Sequence, residues 1–190
     1  MCYCSEEEII AGLEKGEERA VEITIDRYGD RMFRTALAIT GDTREAEEVV
    51  QDAFLQVCRK IRSFKQQSSL QTWIYRITVN LAKNRLRSFW FKKVAPWTDS
   101  EKNLLAADDG LDPEETLLRR EKHKEVLDCL KRLPLKYREA LALFYLEELS
   151  ITEIAQVLQQ PAGTVKSKIF RARSLLEKEL KAGEVIFYEA

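Results

Sequence analysis

Residues 150–173 read Ser150-Ile-Thr-Glu-Ile-Ala-Gln-Val-Leu-Gln-Gln-Pro-Ala-Gly-Thr-Val-Lys-Ser-Lys-Ile-Phe-Arg-Ala-Arg173. Ser150 and Glu153 have the spacing of a capping box, in which a hydroxyl and a carboxylate exchange hydrogen bonds with free backbone N–H groups at a helix start. Ile151, Ile154, Ala155 and Leu158 follow at helical spacing. Gln159 to Gly163 breaks that period, and Thr164 is expected to cap a second helix buried along Val165, Ile169, Ala172 and Leu176. A short helix, a tight turn containing glycine and a second helix make a helix-turn-helix pattern. The second helix leaves Lys166, Ser167, Phe170, Arg171, Arg173 and Ser174 outside its apolar stripe. Phe170 lies about 130° from the centre of that stripe on a wheel. An aromatic there adds little to a core, but in a DNA groove it can meet a thymine methyl while Arg171 or Lys166 reaches guanine or phosphate.

Working outward, nearly every segment repeats with a helical period, and Asn-Gly or Asp-Gly hairpin signals are missing apart from Asp109-Gly110. The fold class is therefore expected to be all-α. Asp42-Thr-Arg-Glu45 follows Gly41 as a second capping box, opening a helix with Ala46, Val49, Val50, Ala53, Val57 and Ile61 on one face. Glu47, Glu48, Gln51, Asp52 and Leu55 fall outside that face. The next helix runs from about Ser69 to Arg87. Leu70, Ile74, Ile77, Leu81 and Asn84 occupy a sector of about 80° on its wheel, the expected core side. Arg76, Asn80, Lys83 and Arg87 occupy another of about 60°, a stripe of cations around one amide that suits a nucleic-acid strand. A second apolar stripe, Tyr75, Val79, Ala82 and Leu86, exceeds the needs of one core and is expected to face a partner protein. Asp112-Pro113-Glu-Glu115 starts a later helix that Leu133-Pro134 ends, and another runs through Tyr137, Leu141, Phe144 and Tyr145.

The charges are nearly balanced, 31 basic against 32 acidic residues in 190, but they are segregated. From Ala53 to Thr98 there are 46 residues without an Asp or Glu, ten basic residues and all three tryptophans, Trp73, Trp90 and Trp97. Cations interleaved with aromatics are what a surface holding a displaced strand requires. Asp99 to Glu115 reverses the sign, with seven acidic residues against one lysine, and reads as a tether. The expected organisation is two helical domains, 1–93 and 113–190, joined by a flexible acidic linker, 94–112.

Several classes are excluded. The longest stretch without charge, Ile154 to Val165, is twelve residues and contains Pro161 and Gly163, short of a membrane span. Met1-Cys-Tyr-Cys-Ser5 leads directly into three glutamates with no secretory pattern, so a cytoplasmic location is expected. Cys2, Cys4, Cys58, Cys129 and the single His123 form no paired metal motif, and no glycine-rich phosphate loop is present. No cofactor, no metal and no catalytic activity are expected.

These stretches resemble bacterial RNA polymerase sigma factors of the extracytoplasmic-function (ECF) subfamily of the sigma-70 family. The matching residues are Asp42 to Phe54, Leu70 to Asn80 with Arg85-Leu-Arg87, Leu133-Pro134, Leu149 to Ala155 and Gly163 to Arg173. The resemblance implies a subunit that binds RNA polymerase core and directs it to promoter DNA, without catalysis of its own. It places polymerase contacts at Glu48, Gln51, Asp52, Leu55 and Cys58. Minus-ten recognition and melting fall to Lys65, Gln66, Gln67, Ser68, Ser69, Trp73, Arg76, Asn80, Lys83 and Arg87, the loop holding a flipped base. Minus-thirty-five recognition falls to Thr164, Lys166, Ser167, Phe170, Arg171 and Arg173. It further implies a dedicated anti-sigma factor covering both domains. Phe89-Trp90-Phe91 is bulkier than the family pattern, and Lys166 and Lys168 stand where arginine is common. The alternative is a helix-turn-helix regulator of the response-regulator type, which requires a mixed α/β N-terminal domain.

Overall fold

Short polar side chains set where the helices begin. Ser5 Oγ accepts from Glu8 N (3.2 Å) and Ser5 N donates to the Glu8 carboxylate (2.7 Å), closing a capping box that starts α1 (Glu6–Lys15). α2 (Glu18–Thr40) ends at Gly41, whose φ of 75° is the left-handed conformation expected of a helix-ending glycine. A Cβ at Gly41 would also lie 3.0 Å from Lys131 Cγ, so the position has two reasons to stay bare. Asp42 caps α3 (Thr43–Lys60) by accepting from Glu45 N at 3.0 Å. Only that half of the expected box forms, because the Glu45 carboxylate is taken by Arg85 at 2.7 Å. A 3-10 turn (Ile61–Ser63) and an irregular loop lead to α4 (Leu70–Lys92).

The computed structural model describes residues 5–92 and 129–188, and the side chains of 5–87 and 129–178. Cys2, Cys4, the acidic segment 94–112, the Asp112-Pro113 helix start, His123 and the Phe89-Trp90-Phe91 side chains lie outside them. After a helical stretch over 129–132 come α5 (Leu135–Leu141), a π-turn (Ala142–Leu146), α6 (Ile151–Leu158) and α7 (Ala162–Tyr188). The described residues contain no strand.

The Ser150–Glu153 capping box forms in full. The turn after it differs from expectation. Gln159, not Gly163, adopts positive φ (53°), and α7 begins at Ala162, so Thr164 sits in its first turn instead of capping it. Pro161 explains the shift: its carbonyl accepts from both Thr164 N and Val165 N, so the helix ladder starts three residues early.

α4 has two buried faces. On one side Leu70, Trp73, Ile74 and Ile77 pack with Ile9, Leu13, Tyr28, Met32, Ala53 and Val57 of α1, α2 and α3. Asn84, placed on that side by the wheel, is exposed. On the other side Tyr75, Val79 and Ala82 share a cluster with Ala140, Leu143, Leu149, Ile154 and Val157. Tyr75, Val79 and Ala82 of the second apolar stripe are thus covered by the chain's own C-terminal half, where a separate partner protein was expected, and Leu86 is half-buried outside that cluster. Arg138 of α5 strengthens the junction by donating to the Ile39 carbonyl (2.8 Å), one of the acceptors the end of α2 leaves free, and to the carbonyls of Lys131 and Leu133. Burial lowers the pKa of that guanidinium.

Candidate nucleic-acid interface

The exposed row of α3 is built by the same periodicity that buries its other side. Ala46, Val49, Ala53 and Val57 face inward, leaving Glu48, Gln51, Asp52, Leu55 and Cys58 exposed, with Leu55 at 54%. Arg85 of α4 reaches across to this row. It contacts the Glu48 carboxylate directly and lies 3.6 Å from Asp52, so part of the acidic row is neutralised within the chain. The sequence places Arg85 among the cations of the acid-free window and in the Arg85-Leu-Arg87 match, but does not show that it pairs with the acidic row of α3.

In the loop before α4, Lys65, Gln66 and Gln67 are exposed and Gln66 takes a φ of 52°. Phe64 and Trp73, at the two ends of the loop, pack together with ring centroids 5.1 Å apart and planes tilted by 37°. Trp73 therefore lies in the core and not on the polar stripe. Ser68 is half-buried. Ser69 Oγ lies 2.9 Å from Thr72 Oγ1 and accepts from Thr72 N (3.1 Å), so this hydroxyl holds the helix start. The Leu70 amide donates to the Glu6 carboxylate of α1.

Along the stripe, Asn80 and Arg87 are exposed and Arg76 is half-buried. Lys83 differs: its ammonium is 2.9 Å from the Glu139 carboxylate of α5. Glu139 also accepts from Lys168 Nζ of α7 at 3.3 Å. A second buried carboxylate, Glu147, accepts from Thr35 Oγ1 (3.1 Å) and from the Tyr75 hydroxyl, with Arg31 Nε at 3.4 Å. Burial pushes the Glu147 pKa up, against the hydrogen bonds from Tyr75 and Thr35 and the charges of Arg34 and Arg31. Desolvation, together with this carboxylate, likewise raises the Tyr75 phenol. Sequence reading missed Glu139 and Glu147, because glutamates among alternating polar and apolar positions look like a solvated helix face.

On α7, Val165, Ile169 and Ala172 are buried while Thr164, Lys166, Ser167, Phe170, Arg171 and Arg173 are all exposed, Phe170 at 76%. Ser167 Oγ donates to the Gly163 carbonyl at 3.0 Å. The Arg173 guanidinium lies over the rings of Phe144 (5.1 Å) and Tyr145 (5.4 Å), a cation–π arrangement that orients it before any ligand arrives.

The profile of Sigma-70 region 2 matches residues 24–91, and that of Sigma-70, region 4 matches residues 123–176. An ECF RNA polymerase sigma factor of Bacillus subtilis, SigW, is 33% identical over 182 residues, covering 90% of this chain and 95% of its own length. The chain belongs to the ECF sigma factor family. Among solved structures, CnrH in complex with the cytosolic domain of CnrY matches this sigma factor with a TM-score of 0.68 at 21% identity, over 92% of this chain and 96% of that one. The sigma factor RpoE in complex with the anti-sigma factor NepR from Bartonella quintana gives 0.68 at 23% identity, over 84% and 96%. Both show the same fold. A helical N-terminal half matching region 2 sets aside the response-regulator reading. No helix among the described residues of the sigma factor is long and apolar enough to cross a membrane.

Proposed function

We propose that this sigma factor binds RNA polymerase core through Glu48, Gln51, Asp52, Leu55 and Cys58, opens the minus-ten element with α4 and its preceding loop, and reads the minus-thirty-five element with α7. The observation that carries this reading is the division of α7 into a buried apolar side and a side that exposes Phe170 among Lys166, Ser167, Arg171 and Arg173. An exposed aromatic between cations has no use in a core and fits a major groove. At the minus-ten element, Lys65, Gln66, Gln67 and Ser68 form the pocket rim for an unstacked base. Ser69 and Trp73 act as supports, one capping α4 and the other packing against Phe64, while Arg76, Asn80, Lys83 and Arg87 follow the strand. The domains are 1–93, 94–112 and 113–190, the middle one a tether. An anti-sigma factor is the expected regulator, as in the RpoE complex with NepR.

Purified protein mixed with core polymerase should co-elute without DNA and should support run-off transcription from promoters recovered by sequencing transcripts after overexpression. Failure to co-elute with core would remove the reading.

A further inference from the structure

Promoter elements at minus ten and minus thirty-five lie about 25 base pairs apart, or ~80 Å at 3.4 Å per step. The structure instead holds the two DNA-facing surfaces together. Lys83 of the α4 stripe lies 2.9 Å from one oxygen of Glu139, and Lys168 of α7 lies 3.3 Å from the other. Strand-binding stripe and recognition helix thus meet at one carboxylate whose side chain is 3% exposed. Beside it, Tyr75, Val79 and Ala82 are buried with Leu143, Leu149 and Val157, and Glu147 is enclosed by Tyr75, Thr35 and Arg31.

We propose that the free chain closes on itself through Glu139 and Glu147: Glu139 takes the Lys83 ammonium that a strand phosphate would occupy, Glu147 fixes the register of the two halves, and closed and promoter-bound forms exclude one another. The proposal rests on the function assigned above. Its chemistry suits a contact that must open. A buried ion pair recovers in Coulomb attraction little more than its desolvation costs, so it specifies one arrangement without adding much net stability. Opening rehydrates both glutamates and frees Lys83 for phosphate. The nineteen residues 94–112 can span up to ~65 Å when extended, so the halves can part without unfolding. The exposed row on α3 remains accessible in the closed form. Closure therefore blocks promoter engagement and not polymerase binding.

The ion pairs supply their own test. A zero-length carbodiimide joins an amine to a carboxylate only where they touch. Treated full-length protein, isolated as monomer and mapped by mass spectrometry, should contain a Lys83–Glu139 isopeptide, with Lys168–Glu139 as the control within one half. Binding to core polymerase and promoter DNA before treatment should remove the first cross-link at least tenfold and leave the second. The cross-linked monomer should still co-elute with core but lose transcription. Glu139→Gln, which cannot couple there, should keep its activity through the same treatment. If that variant fails to fold, the wild-type cross-links decide alone. Lys168–Glu139 without Lys83–Glu139 in the free chain would overturn the proposal, as would Lys83–Glu139 persisting in the promoter complex. Loss of core co-elution by untreated protein is a separate result, striking the proposed function itself.

Discussion

The two buried faces of α4 are made differently. Toward α1, α2 and α3 the contact is Leu70, Trp73, Ile74 and Ile77 against apolar side chains. Toward α5 and α6 it is Tyr75, Val79 and Ala82 against a surface that carries two buried glutamates, one held by a lysine on α4 and the other by hydroxyls and an arginine. Apolar burial is non-directional and stabilises by roughly 25 cal/mol per Å², so the first face behaves as a permanent core. The second trades part of that gain for directional polar pairs, which favour one arrangement but release more readily. One helix thus joins a lasting contact to a separable one.

The sharpest way to break the comparison is on the permanent side. Ile74→Ala should cost about 2–5 kcal/mol of unfolding free energy, read by thermal or urea denaturation. On the other face, Val79→Asp places a charge where the C-terminal half packs. Helical circular dichroism should be largely retained while the radius of gyration in small-angle scattering rises, and an unchanged radius would show that the second face is as permanent as the first. Farther out, Arg171→Ala and Ser167→Ala should weaken binding to the upstream promoter element by about tenfold, the scale of one lost base or phosphate contact, with core association intact. Equal loss of both activities would mean the recognition helix is misassigned. Asn80→Ala should reduce permanganate-reactive thymines in the open complex with little change in stability.

The smallest expected effect is on pH. Glu147 faces Tyr75, Thr35, Arg31 and Arg34, and burial dominates, so its pKa in the closed form lies above the ordinary value of 4.5 that it regains on opening. A raised carboxylate pKa favours the protonated form in the closed state. Closure is therefore strongest below 4.5 and weakens as pH rises through the raised value. Radius of gyration measured across that range should rise with pH in the wild type, and Glu147→Gln should flatten the slope.

Much of this architecture was legible in the sequence because it depends on short-range rules. Ser150 and Glu153 are three residues apart, and Gly41 needs no distant partner to adopt positive φ. The exposure of Phe170 follows from its place on the wheel. The misses are long-range. The Tyr75 stripe could be seen as apolar but not matched to Leu143, Leu149 and Val157, since helical periodicity carries no information on which faces meet. Asp42-Thr-Arg-Glu45 looked like a full capping box until Arg85, 40 residues on, claimed the Glu45 carboxylate. Trp73 was expected among the minus-ten contacts, and its packing against Phe64 in the core could not be read from its spacing.

The bond from the Leu70 amide to the Glu6 carboxylate joins positions 64 residues apart. It caps the start of α4 with a side chain from the first turn of α1. Deleting the chain through the first turn of α1 would remove Glu6 and with it one of the two caps at the α4 start on which the 64–69 loop is mounted. A defect in opening the duplex would then arise from a deletion more than fifty residues away in sequence from the proposed DNA-binding loop, and anyone trimming or tagging this protein should keep Glu6 and the amide it serves.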